Sequence, residues 1–275
     1  MLLGLYKELR LLNTDLEIAI YIAKKAGNVL LKYLGDIKSI DYKGAFNIVT
    51  NADKESEALI VKIIQENFPE DSILAEEGNN VCSNTSKRLW LIDPLDGTTN
   101  YAHAYPFFAV SIGLQLDKEM ILGVVYNPCN NELYTAVKNN GAYLNGTKLK
   151  VSQIKNINEA LLATGFSPDT KNCSQNNKAE FSHLTDVSHG VRRDGAASLD
   201  LAYVASGRLE AFWEYNLKPW DLAAGSILVT EAGGVVSDLR GKTLDFYQGN
   251  VLASNKLIHQ TVLTELHEYA SLKVK

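Results

Sequence analysis

A chain of 275 residues, 46% of them hydrophobic, is long enough for a large buried core and fits either one big domain or two closely joined halves. With 27 Lys+Arg against 32 Asp+Glu, its net charge of −5 gives no general attraction to nucleic acid or anionic membranes, so a phosphorylated ligand needs local help from metal ions or backbone amides. Cys82, Cys129 and Cys173 are odd in number, far apart and in no metal-ligand spacing, which argues against a disulfide framework and for a reducing cytoplasm.

The opening MLLGLYKELRLLN reads as an amphipathic extension, because Lys7, Glu8 and Arg10 interrupt any signal core, and no stretch approaches the ~18 apolar residues of a membrane span. Thr14 followed by Glu17 is a capping-box pattern, and apolar residues from Leu16 to Leu30 then recur at helical spacing up to Gly35, which predicts a first helix. A second is predicted from Ala52 to Phe68, with Pro69 beyond its end. Ser72 to Leu74 and Arg88 to Ile92 read as short strands, ending at Glu76-Glu77 and at Asp93. From Phe107 to Leu149, apolar runs broken at Asp117-Lys118, Asn127-Pro128 and Asn139-Asn140-Gly141 predict an antiparallel meander. Ser167 to Gly190 is polar and loop-rich with one helix, and reads as the boundary between two halves. A helix over Ser198 to Ser206, the strand LEAFWEY, a helix from Asp221 to Ala232 closed by Gly233-Gly234, the strands VVSD and NVLAS and a last helix from Lys256 complete the chain. Helices and antiparallel strands in separate runs predict a layered α+β architecture.

The stretch WLIDPLDGTTNYAHAYP ends an apolar strand with Asp93 and Asp96 around Pro94-Leu95 and then turns at Gly97. Close, partly buried carboxylates repel, and one takes up a proton unless divalent cations stabilise both anions. Oxygen ligands suit Mg²⁺, Mn²⁺ or Ca²⁺, and no His or Cys cluster argues for zinc. The amides of Gly97, Thr98 and Thr99 could open a helix, whose N-terminus is a ready phosphate site. Alone, DPLDG reads more readily as a turn and N-cap, Glu77 as a solvated neighbour, Asp221 as an N-cap and Asp53 as a first-turn acid. Two further acidic positions, Glu76 after SILA and Asp221 after PW, shift the balance towards a metal site.

DPLDGTTNY with His103 and Pro106 resembles the first signature of the inositol monophosphatase family, and PWDLAAGSILVTEAGG resembles the second. IVTNAD around Asp53, AEEG around Glu76 and RRDGAASLDLAYVASGRLEAFWE extend the resemblance over nearly the whole chain. The resemblance implies the αβαβα sandwich of the inositol monophosphatase and fructose-1,6-bisphosphatase type. Residues 1–150 would form an N-terminal half with the metal and phosphate motifs, and 151–275 a C-terminal half completing the site. It also implies phosphate-monoester hydrolysis with two to three Mg²⁺ ions, Mn²⁺ as an alternative, lithium sensitivity and a homodimer. Glu76, Asp93, the Leu95 carbonyl, Asp96 and Asp221 would be metal ligands, and Thr98 and Asp53 would join Glu76 in activating water. Gly97 and Thr98 amides would hold phosphate, while Ala197, Glu214 and Asp221 would lie beside the substrate alcohol.

Some positions depart from the family pattern. Asn47 stands where many relatives have aspartate, and Ala196 and Ser198 alter a stretch usually read as Gly-Ser-Ala-Ala or Gly-Thr-Ala-Ala, which bears on substrate preference and the weakest metal. Arg192-Arg193 reads as a subunit contact, a substrate-phosphate contact or an ordinary exposed pair; His103 reads as structural, and Glu210 as a position that matters little. Thr99-Asn100-Tyr101, where nucleotide-type relatives carry charges, favours inositol monophosphate over fructose 1,6-bisphosphate, NADP(H), histidinol phosphate or 3′-phosphoadenosine 5′-phosphate. The competing class is a regulatory partner that keeps the phosphatase fold, as in bacterial relatives associated with transcription machinery. No membrane or direct nucleic-acid partner is expected.

Overall fold

The computed structural model describes the backbone of residues 2–36, 40–42, 48–83, 85–167 and 176–272, with side chains between 14 and 267 in those stretches, save 40–42 and 48. Asn47 and Cys173 lie outside the described residues; Cys82 and Cys129 are free thiols.

The first helix, α1 (Leu2–Tyr33), starts well before Thr14. A capping pattern does not stop a helix by itself, and the preceding Leu, Lys, Glu and Arg are all good helix formers with no proline among them. A short antiparallel pair, β1 (Ile40–Tyr42) and β2 (Ile48–Thr50), leads into α2 (Asn51–Asn67). That helix begins on a capping box, Ala52 N donating to Thr50 Oγ1 (3.1 Å) and Thr50 N to Asp53 Oδ2 (2.8 Å), and it stops at Phe68 before Pro69.

A seven-stranded sheet follows, in the order β3 (Ser72–Ala75), β4 (Arg88–Asp96), β5 (Ala109–Leu116), β6 (Glu119–Asn127), β7 (Glu132–Val137), β8 (Gly141–Leu144), β9 (Thr147–Lys148). The predicted meander is its β5 to β9 portion; β3 alone pairs in parallel, with β4, and the short helix α3 (Thr98–Ala102) joins β4 to β5. The chain then crosses to a five-stranded sheet formed by β10 (Leu161–Thr164), β11 (Gly190–Arg192), β12 (Ala211–Glu214), β13 (Val235–Ser237) and β14 (Val251–Ser254), ordered β11-β10-β12-β14-β13. Here β10 runs parallel to both β11 and β12, so the reading of purely antiparallel strands holds only for part of each sheet. Ser167 to Gly190 is not a boundary between halves: it contains α4 (Lys178–Val187) and is the crossover between two neighbouring strands of one sheet, a connection that parallel pairing requires.

Period-2 alternation along the strands sorts the apolar side chains into three cores. Ile22 and Leu30 of α1 and Ile60 and Ile64 of α2 pack with Trp90, Ile112 and Val124 on one face of the large sheet. On its other face lie α5 (Ala197–Ala205) and α6 (Pro219–Glu231), whose Leu201, Leu222 and Leu228 share a core with Val125 and Tyr134 below and Phe212 and Ala253 above. The far face of the small sheet is covered by α4 and by α7 (His259–Leu272), through Leu184, Val262 and Leu266. The layers therefore run α1/α2, large sheet, α5/α6, small sheet, α4/α7, the αβαβα sandwich that the resemblance implies.

Helix α6 can lie flat on the large sheet because the sheet has a flat spot beneath it. Gly113 and Gly123 are cross-strand partners on β5 and β6, and a Cβ at Gly123 would stand 2.6 Å from both the Ala224 carbonyl oxygen and Ile227 Cγ2. The Ala224 backbone cannot yield without lifting the helix. Gly123→Ala should therefore lose about 1–3 kcal/mol through overpacking, measured as a lower urea midpoint with an unchanged m-value; an unchanged midpoint would show that the helix has room.

Candidate active site

The geometry of β4 follows from its proline. The strand pairs regularly with β5 up to Asp93 opposite Ser111, then loses register before Asp96 meets Ala109, since Pro94 has no N–H to continue the ladder. Asp93 Oδ1 accepts from Leu95 N (3.0 Å), and Ser56 Oγ donates to the Pro94 carbonyl (3.1 Å). Gly97 has φ 92°, and a Cβ there would meet the Phe107 carbonyl oxygen at 3.0 Å, so glycine is needed for both conformation and space. The Thr98 hydroxyl lies 3.0 Å from Leu95 O and 3.2 Å from Asp53 Oδ1, so its single proton serves one acceptor at a time. Asp53 stands behind Thr98, its other oxygen bound by Thr50 N and Thr50 Oγ1 (2.6 Å).

Three further elements bring acids to the same place. Asp221 is the third residue of α6 and its Oδ2 accepts from Lys218 N (2.7 Å), so it satisfies the amide of the N-cap residue without being the N-cap itself. Asp96 Oδ2 accepts from both Ser198 N (2.7 Å) and Ser198 Oγ (2.5 Å) at the start of α5. Glu76 follows β3 and donates its N–H to Ile92 O (3.2 Å). Its loop is held by a residue that sequence reasoning missed: the buried Glu57 of α2 accepts from Glu77 N (2.6 Å), Asn79 N (3.0 Å) and Asn79 Nδ2 (2.9 Å).

These groups line a cleft of about 200 Å³, together with Gly97, Thr98, Ala197 and Glu214, so every predicted site residue except Asp53 borders it. It also contains Gly165 and Asp200, which sequence reasoning had not placed there, and Arg193, for which a substrate-phosphate contact was one of three readings; among the described lining residues Arg193 is the one base, beside six carboxylates. His103 is exposed at the end of α3 and is no part of the cleft. Glu210, read as mattering little, is buried and accepts from Leu161 N (2.6 Å), where it ties β10 in place.

Crowding and burial oppose the charges. Burial first, then Glu76, Asp96 and Asp221, hold the Asp93 carboxyl well above the usual range. Asp221 is raised in the same way by burial, Glu76 and Asp96. Burial lifts Asp96 to about 6 against the two Ser198 bonds, and Asp53 to about 6 against its bonds from Thr50. Glu214 is pushed to about 8 by burial and Asp96, with Arg193 working the other way.

Among the described residues, no three His, Cys, Asp or Glu side chains close round a common metal position as they stand. The donor set nevertheless fits a hard divalent cation: its ligating atoms are carboxylate and carbonyl oxygens alone, and backbone amides engage one oxygen each of Asp93, Asp96 and Asp221. A cation there also removes the repulsion that raises their proton affinity.

The sign of the resulting pH dependence is fixed. These native carboxyls hold protons that the unfolded chain, with carboxyls near ~4, has lost. Their contribution to stability is full below the ordinary carboxylate range and lost as pH rises through about 6 for Asp53 and Asp96 and about 8 for Glu214. In EDTA the melting temperature should fall between roughly pH 5.5 and roughly pH 8.5, and Mg²⁺ should raise it more at the higher pH. A Mg²⁺ shift that is equal at both values would show that the cluster is not the metal site.

Residues 11–271 match the model of the inositol monophosphatase family. The chain is 44% identical over 250 residues to the inositol-1-monophosphatase of Synechocystis sp., covering 90% of this chain and 87% of that one. It is 40% identical over 255 residues to the Nus factor SuhB of Vibrio cholerae, covering 92% and 96%. The structure of inositol monophosphatase from Anabaena (Nostoc) sp. PCC 7120 superposes with a TM-score of 0.87 at 44% identity, over 94% of this chain and 97% of that one. With its layers, its strand-end acids and its Gly97 turn in place, the chain belongs to the inositol monophosphatase family.

Proposed function

We propose that the protein hydrolyses phosphate monoesters with Mg²⁺ and that its preferred substrate is a myo-inositol monophosphate. The observation that carries this reading is the convergence of Glu76, Asp93, Asp96 and Asp221 beside the Gly97 turn in one cleft. Those four side chains and the Leu95 carbonyl would hold two to three Mg²⁺ ions, with Mn²⁺ able to replace them. Bound there, the cations would supply positive charge against the phosphate oxygens and the departing alkoxide, and would acidify water.

The chain's own groups supply the rest. Amides of Gly97 and Thr98 would hold the phosphate. Glu76 and Thr98 would orient the attacking water. Asp53, whose pKa of about 6 sits near neutrality and whose Oδ1 lies 3.2 Å from Thr98 Oγ1, is suited to take up the proton that the Thr98 hydroxyl passes on. Ala197, Glu214 and Asp221 would flank the leaving alcohol. Lithium inhibition through displacement of a Mg²⁺ ion, a homodimer and a cytoplasmic setting belong to the same reading. No helix among the described residues is long and apolar enough to cross a membrane. A second reading, regulation of a macromolecular partner, is favoured by the 40% identity to a Nus factor; the full set of acids supports catalysis whether or not that role is present.

Phosphate release from inositol 1-phosphate should require Mg²⁺ and stand first in a panel that includes fructose 1,6-bisphosphate, NADP and 3′-phosphoadenosine 5′-phosphate. No release above a metal-free control by folded protein across the panel would refute the enzymatic reading. Asp93→Asn keeps size and hydrogen bonding while removing charge, so turnover should drop about a hundredfold or more, ~3 kcal/mol of barrier. Near-native turnover with lowered thermal stability in EDTA would make Asp93 a structural turn residue instead.

A further inference from the structure

Strands β10 and β12 run in parallel with Thr164 opposite Trp213, which leaves the next residues, Gly165 and Glu214, side by side at the cleft. The two strand ends are locked together. Thr164 Oγ1 donates to Trp213 O (2.5 Å), Asn177 Nδ2 donates to Thr164 Oγ1 (2.6 Å) and Gly165 O (2.7 Å), and Trp213 Nε1 donates to Asn177 Oδ1 (2.7 Å). Gly165 therefore has no freedom to draw back. Its φ is not in the left-handed region, so the backbone makes no demand for glycine. The demand is spatial: the three nearest atoms to a Cβ at this position are the carboxyl carbon and both oxygens of Glu214, all in overlap with it.

We infer that Gly165 is a specificity-determining residue: by lacking a side chain it lets the Glu214 carboxylate stand in the cleft where the hydroxyls of a polyol leaving group meet it. This rests on the reading above that Glu214 faces the substrate alcohol. Relief of the overlap falls on the end of a side chain with three rotatable bonds, so a methyl group at Gly165 displaces the carboxylate in preference to the hydrogen-bonded backbone. The effect is on selectivity, and it is transmitted through Glu214 alone.

A double-mutant cycle tests this, read as the ratio of kcat/KM for inositol 1-phosphate to that for p-nitrophenyl phosphate, whose alcohol carries no further hydroxyl. Gly165→Ala should lower the ratio at least tenfold, chiefly through KM for inositol 1-phosphate, and Glu214→Ala should lower it similarly. In the Glu214→Ala background the added methyl group has room, so the double variant should match Glu214→Ala within twofold. If Gly165→Ala fails to fold, recovery of folding in the double variant shows the same clash. An unchanged ratio in Gly165→Ala, or an equal loss in both backgrounds, overturns the inference while leaving the phosphatase reading intact. An unchanged ratio in Glu214→Ala overturns the role of Glu214 and the inference with it. Absence of phosphate release by the unaltered protein overturns both readings.

Discussion

Six carboxylates share one cleft, and each loses water around its charged form by standing there. Their mutual repulsion would drive them apart, so the surrounding structure has to hold them where their own electrostatics oppose it. Four of them are tied through different elements: Asp93 to the backbone of its own turn, Asp96 to the start of α5, Asp221 to the start of α6 and the Glu76 loop to Glu57 of α2. No single strand could do this, because successive side chains along a strand point to opposite faces. The layered fold brings four chain segments, remote in sequence, to one end of the sheets.

Glycine makes that convergence sterically possible in three distinct ways. Gly97 supplies a left-handed backbone conformation in a space closed by Phe107. Gly113 and Gly123 remove side chains between sheet and helix, which sets the depth at which α6 packs and so the position of Asp221. Gly165 removes a side chain beside a functional carboxylate. The first reason is conformational, the second is packing, and the third concerns the site itself; a substitution at each would be felt in folding, stability and selectivity respectively.

The degree to which this was legible in the sequence depended on whether a residue's role was local. Asp93, Asp96 and Asp221 stand at element ends that hydrophobic periodicity and a proline mark clearly, and the structure brings them together as expected. Glu57 was invisible because a buried acid in α2 looks like one of its exposed neighbours, Glu55 or Glu66, and only the loop after β3 distinguishes it. Asp200 was missed for a similar reason, since its place in the cleft is set by where α5 docks. The segment from Ser167 to Gly190 read as a boundary between halves because polar composition says nothing about which strands a connection joins. Thr14 carried the chemistry of a helix start but is not one, because the favourable residues before it let α1 run through from Leu2.

Ser198 shows how a departure from a family pattern becomes interpretable only with geometry. The backbone amide of this position already donates to Asp96 Oδ2, and any residue other than proline would provide it. The serine hydroxyl adds a second donor to the same oxygen at 2.5 Å. Both donors therefore act on one side of the carboxylate, favouring its charged form against burial while fixing the direction in which the other oxygen points. With Ala196 carrying no hydroxyl two positions earlier, the polar contact in this stretch is directed at a candidate metal ligand. The altered motif thus tunes the orientation of Asp96 and leaves the identity of the oxygen donors unchanged.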